Sequence, residues 1–164
     1  KIHAKTLTMG YARAPYFHQL EELIRDFLLE RQWENLSALN IGLIRWISKR
    51  LGFKTKIRNV REFSLHQNRI ERLLGILEVI GAKEYLTGPS SATYLVGKEN
   101  IFADRGIKLR YKTYGPFLPY TQLKEPFEPN VSIIDLIANL PWHKIPQHVR
   151  SSQLSTTDKP NTIE

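Results

Sequence analysis

The segment Thr87-Gly88-Pro89-Ser90-Ser91 carries the residue types of an anion site. It follows Lys83 to Thr87, read as a short strand, and opens a short helical stretch holding Tyr94 and Leu95. Ligands of open α/β sheets bind beyond the carboxyl ends of the strands, where free backbone N–H groups and the dipole of the next helix favour negative charge. Gly88 lets a ligand approach the backbone closely. Thr87, Gly88, Ser90, Ser91 and Tyr94 are therefore candidate ligand-binding residues. The same residues also make an ordinary helix start, with Ser90 or Ser91 as N-cap behind a turn glycine.

Arg69 and Arg72 stand three apart in a stretch of helical spacing and share one face. Two guanidinium groups so placed could hold a phosphate or carboxylate bidentately; a surface pair balanced by Glu71 is the plainer reading. A third group lies between Tyr114 and Asp135, where Gln122, Asn130, Ser132 and Asp135, with Tyr120, are set among Pro116, Pro119, Pro126 and Pro129. Polar groups on a stiff loop suit the fixing of a small ligand. Asn130 or Ser132 could equally cap the helix that follows, with Asp135 complementing its dipole.

Other chemistries lack their anchors. The histidines His3, His18, His66, His143 and His148 show no metal-ligand spacing, so no metal is expected. There is no cysteine, which excludes a thiolate site, a disulfide framework and a cysteine nucleophile. No nucleophile elbow, P-loop or dinucleotide glycine fingerprint occurs, so no catalytic residue is assigned and no cofactor is expected. The net charge of +8 suits an anionic partner. The basic residues are scattered, however, and a solvated basic surface explains them more simply than nucleic acid does.

The elements that must position these residues follow from periodicity. Pro15 with Tyr16, Phe17, Leu20, Leu23, Ile24, Phe27 and Leu28 predicts a helix to about Arg31, and a second runs from Asn35 or Ser37 to Leu51, stopped by Gly52. Phe53 to Arg58 alternates and is read as a strand, with a loop up to Leu65; Asn68 to Ile80 is again helical, ended by Gly81. Ile107 to Tyr114 alternates as a strand, and Ser132 to Leu140 forms a last helix. The reading is an α/β protein with a mostly parallel sheet and helices on both faces, Rossmann-like, as one domain over residues 1–146 with a polar, flexible tail at 147–164. Lys1 to Ala14 begins as if mid-helix, and N-terminal strands are expected to be missing. No apolar run approaches a membrane span, so a cytoplasmic protein is expected.

Two stretches resemble the WbqC-like protein family. In Arg69 to Leu95 a helix passes through Gly81-Ala82 into Tyr85-Leu86-Thr87-Gly88-Pro89; in Pro119 to Asn139 stand Tyr120-Thr121-Gln122-Leu123 and Asn130-Val131-Ser132-Ile133-Ile134-Asp135-Leu136. Ala14-Pro15-Tyr16-Phe17 and Leu39 to Ile44 are weaker echoes, all in the family's order. Thr87 stands where the family has serine, and the family's histidine-glutamine-proline and Leu-Pro-Trp-x-Gly-Tyr segments do not occur in this chain. The resemblance implies a bacterial, cytoplasmic role in assembling surface glycans or related metabolites. It places the Gly88 turn in a functional motif and groups Gln122, Asn130, Ser132 and Asp135 in one pocket.

Two functions follow as expectations. One is a transferase-type enzyme acting on an anionic small molecule, such as a nucleotide sugar, held by the amides of Gly88 to Ser91 and by Arg72. The other is a non-catalytic module docking an acidic partner or nucleic acid through its basic surface.

Overall fold

The computed structural model describes residues 1–63, 68–112, 114–150 and 156–157. Along the chain run α1 (Ile2–Tyr11), α2 (Phe17–Ile24) continued by a π-helical turn (Arg25–Leu29), α3 (Leu36–Arg50), a 3-10 turn (Val60–Glu62) and α4 (Arg69–Val79). Then come β1 (Glu84–Thr87), a 3-10 turn (Pro89–Ser91), α5 (Ala92–Leu95), α6 (Glu99–Ala103), β2 (Lys108–Lys112), α7 (Ile133–Asn139), α8 (Ile145–Arg150) and β3 (Thr156–Thr157). The loop expected up to Leu65, with His66, runs into residues outside those described, as do Thr113 in the expected third strand and most of the expected tail. Helix α8 extends past Gln147, where the tail was placed. No helix among the described residues is long and apolar enough to cross a membrane.

The chain divides into two compact units, residues 1–57 with 117–151 and residues 58–116 with 152–164. The first is helical. Leu20, Leu23, Ile24 and Phe27 recur at helical spacing on α2 and its π-helical turn and are buried with Leu51, Ile137, Ala138 and Ile145. Each of these leucine, isoleucine and phenylalanine side chains contributes about 1.5–3 kcal/mol through burial. Asn35 caps α3 by accepting the Ala38 amide at 2.9 Å, and Gly52, at φ 70°, closes its C-terminus.

The expected strand at Phe53 to Arg58 is not formed. Alternation makes a strand only where another edge offers amides and carbonyls, and no edge among the described residues does so here. The Phe53 amide instead donates to the Ser48 carbonyl, and the Ile57 carbonyl accepts from Arg45.

The second unit holds the sheet, in the order β1-β2-β3. Strands β1 and β2 are parallel, with Glu84 opposite Lys108 and Thr87 opposite Tyr111, whereas β3 joins β2 antiparallel. Mixed helix and strand, with a parallel pair joined through α5 and α6, is thus the architecture. Leu109 and Tyr111 are buried on one face of β2 among Leu74, Leu77, Leu95 and Phe102. On the other face Arg110 pairs with Glu84 at 3.3 Å. Asn68 caps α4 through the Ile70 amide at 2.9 Å.

Candidate functional site

In the first unit, a Pro-rich loop and two helices converge on one carboxylate. Asp135, in the first turn of α7, is only 7% exposed, yet it lines a cleft of about 320 Å³ together with Tyr11, Gln122, Lys124 and Glu128. Helix α7 is held in place by Gln19 of α2. The Gln19 Nε2 donates to the carbonyls of Ile137 and Leu140, both at 2.7 Å, and its Oε1 accepts the Trp142 amide at 3.1 Å. These bonds satisfy carbonyls that the C-terminus of a helix leaves open. At the other end, Ser132 accepts the Ile134 amide at 3.3 Å and caps α7.

The Asp135 Oδ1 accepts the Tyr120 hydroxyl at 2.7 Å and the Gln122 Nε2 at 3.1 Å. Gln122 is oriented by the loop itself, since its Oε1 accepts the Glu128 amide at 2.8 Å and its Nε2 donates to the Glu128 carbonyl at 3.0 Å. The Tyr120 ring lies edge-on to both Phe127 and His148, with centroids 5.4 Å away in each case. From α1, Tyr11 lines the same cleft beside Asp135.

Burial first, then the negative charge of nearby Asp135, push the Tyr11 phenol up to about 12. Burial and the bond to Asp135 likewise hold Tyr120 far above its ordinary value. Both phenols therefore stay protonated, and Tyr120 acts as a donor. A carboxylate offers about four lone-pair sites. Tyr120 and Gln122 occupy two, both on Oδ1, which leaves capacity for a donor from a ligand in the cleft.

Of the residues expected in this pocket, Gln122 and Asp135 meet across the cleft. Asn130 is exposed, and its contact there is its amide donating to the Glu128 Oε1 at 2.8 Å. Ser132 is occupied as the cap of α7. Tyr11 and Lys124 were not expected. No local signal marks Tyr11, because its partner lies more than a hundred residues along the chain.

The second unit brings Arg69, Ser91 and Tyr94 together. The Arg69 guanidinium sits 3.7 Å from the centroid of the Tyr94 ring, whose hydroxyl donates to the Ser91 Oγ at 3.1 Å. The Ser91 amide donates to the Gly88 carbonyl at 3.1 Å, and the Thr93 hydroxyl to the Ser90 carbonyl at 2.9 Å. Thr87 is buried at the end of β1, and Arg72 is exposed on α4. A side chain at Gly88 would meet the Tyr114 hydroxyl at an ordinary 3.5 Å. Several polar groups of the turn are thus engaged with one another, and the helix that it opens has four residues.

Among the described residues no group of three or more histidine or acidic side chains is gathered as a metal ion would require. A model of the WbqC-like protein family matches residues 1–147. A protein of Mycobacterium tuberculosis (strain ATCC 25618 / H37Rv), named "Uncharacterized protein Rv1507c", is 34% identical over 140 residues, covering 85% of this chain and 60% of that protein. The chain thus spans about three fifths of the length of this curated relative. No solved structure matches it.

Proposed function

This chain belongs to the WbqC-like protein family, and we propose that it carries the acceptor-binding centre of a transferase-type enzyme. Its field of action is bacterial surface-glycan or related metabolite biosynthesis in the cytoplasm, on a nucleotide- or phosphate-bearing precursor. The observation that supports this most is Asp135, a nearly buried carboxylate held by Tyr120 and Gln122 at the wall of an open cleft that Tyr11 also lines.

Transfer to a hydroxyl or amine needs a base to take the acceptor proton as the new bond forms. Asp135 keeps acceptor capacity for that proton, and its two protein donors on Oδ1 fix the orientation of the carboxylate. The acceptor O–H or N–H bond breaks toward Asp135 while the acceptor atom attacks the donor, and the phosphate-bearing group leaves with the bonding pair. Positioning and a preorganised charge distribution suffice, with no covalent nucleophile. Tyr120 holds the carboxylate, and both it and Tyr11 remain neutral throughout.

A Rossmann-like sheet covered on both faces belongs to the same proposal. The parallel β1 and β2 pair, joined through α5 and α6, supports it; the charged face around Arg110 weighs against a second helical layer supplied by this chain.

The test is a melting-temperature screen of the full-length protein with nucleotide sugars, sugar phosphates and free sugars. A ligand that raises the melting temperature of the wild type and loses that effect in Asp135→Asn supports the proposal. No stabilising ligand, or undiminished binding to the variant, defeats it. Binding of generic DNA or RNA with a steep salt dependence would favour a docking module instead.

A further inference from the structure

A second pocket in the first unit, of about 380 Å³ at the C-terminal end of α3, shares no lining residue with the Asp135 cleft. Arg45, Lys49 and Lys54 line it, with Ser48, Thr55 and Phe53, and no carboxylate among the described residues contributes to its wall. We propose that this pocket binds the phosphate or pyrophosphate group of a small anionic ligand. The inference is independent of the role of Asp135.

Its cations differ from the arginines that are ion-paired elsewhere in the chain. Arg25, Arg50, Arg58, Arg105 and Arg110 each lie against an aspartate or glutamate. Arg45, Lys49 and Lys54 meet no carboxylate among the described residues; Arg45 reaches only the Ile57 carbonyl, at 3.4 Å. Arg45 and Lys49 are also four apart on α3, where like charges oppose the helix. A bound anion turns that repulsion into attraction.

The end of α3 does not need these side chains as caps. The carbonyls of Ile47, Ser48 and Lys49 accept the amides of Leu51, Phe53 and Gly52, at 2.9, 2.9 and 3.1 Å. The helix dipole places about half a negative charge there, which three cations outweigh.

The backbone adds donors. Residues 54–57 lie outside any strand, and none of their amides donates to another described residue. Open amides beside cations are the elements of a phosphate-binding concavity. Phosphate fits the donor set better than a carboxylate does, because a guanidinium pairs its oxygens bidentately while two ammonium groups and two hydroxyls take the rest. A singly charged carboxylate would leave two cations uncompensated.

The experiment titrates the full chain with inorganic pyrophosphate at low salt, following amide chemical shifts and heat. The expected result is saturable one-site binding with shifts confined to residues 45–57. Lys49→Gln with Lys54→Gln should weaken it by about tenfold or more, with no loss in melting temperature. Lys5→Gln with Arg13→Gln removes the same charge from exposed positions elsewhere and should change affinity by less than about twofold, since distant exposed charges are screened.

Parallel titrations with uridine diphosphate and a sugar 1-phosphate identify the source of the phosphate by which binds more tightly. The proposal is overturned if pyrophosphate does not saturate, if the charge-matched control weakens binding as much as the pocket variant, or if chloride at equal ionic strength reproduces the shifts. Tighter binding of a generic RNA oligomer, with shifts spread over the basic surface, overturns it as well.

Discussion

The hydrogen bond from Tyr120 to Asp135 can be weighed by a double-mutant cycle of Tyr120→Phe and Asp135→Asn. The donor and acceptor lie 2.7 Å apart in a partly buried setting, and the acceptor is charged. Such a bond contributes about 1.5–3 kcal/mol against about 1 kcal/mol for a neutral one. Partial exposure places Tyr120→Phe near the lower end, at a loss of about 1.5–2 kcal/mol. Asp135→Asn keeps the shape but replaces charge-assisted bonds with neutral ones and turns an amide N–H toward existing donors, for a loss of about 1–2 kcal/mol. In the Asn background, Tyr120→Phe should cost only about 0.5–1 kcal/mol, which leaves a coupling near 1 kcal/mol, outside the scatter of about 0.3–0.5 kcal/mol for independent sites.

Urea unfolding followed by tryptophan fluorescence is the assay. Trp33, Trp46 and Trp142 all lie in the unit that contains Asp135, so the signal reports that unit alone. Additive losses, or an Asp135→Asn protein as stable as the wild type, would show that the carboxylate is not held as the distances imply.

Alkaline titration of phenol absorbance should show Tyr11 ionising near pH 12, identified by its absence in Tyr11→Phe, and Asp135→Asn should move it down toward its ordinary value. Because the folded value lies above that of the unfolded chain, the stabilisation is complete below about pH 10. It declines as the pH rises toward 12; a stability flat over that interval contradicts the assignment.

Gly42→Ala would place a Cβ 2.6 Å from the Trp33 ring. That ring cannot swing away, since it stacks on Phe27 at 5.4 Å and its Nε1 donates to the Phe27 carbonyl at 2.9 Å. The overpacking should exceed the roughly 1 kcal/mol that alanine adds to a helix and leave a net loss of about 1 kcal/mol, read by urea unfolding with altered Trp33 emission. Gln19→Ala strips partners from two carbonyls and one amide at once and should cost about 3 kcal/mol or more in the same assay; a loss below 1 kcal/mol would mean that water replaces the side chain.

The sequence by itself determined the local elements. Apolar spacing and terminal residues located α3, α4 and α7 to within a few residues, Asn68 and Gly52 marked real helix ends, and the alternation at Lys108 to Lys112 marked a strand. Family-like motifs singled out Gln122 and Asp135, which do share a cleft. The alternation at Phe53 to Arg58 misled, because a strand requires a partner edge and periodicity records only which side chains could share a face. It was tertiary structure that decided whether neighbours in sequence became neighbours in space. Ser132 and Asp135 stand three apart, yet one caps the helix and the other receives the Tyr120 phenol of the Pro-rich loop. Arg45, Lys49 and Lys54 look like scattered surface charge until the end of α3 and the irregular chain after it bring them around one concavity. Chemistry at a site depends on distance, burial and pairing, and these are set by contacts between residues far apart in sequence.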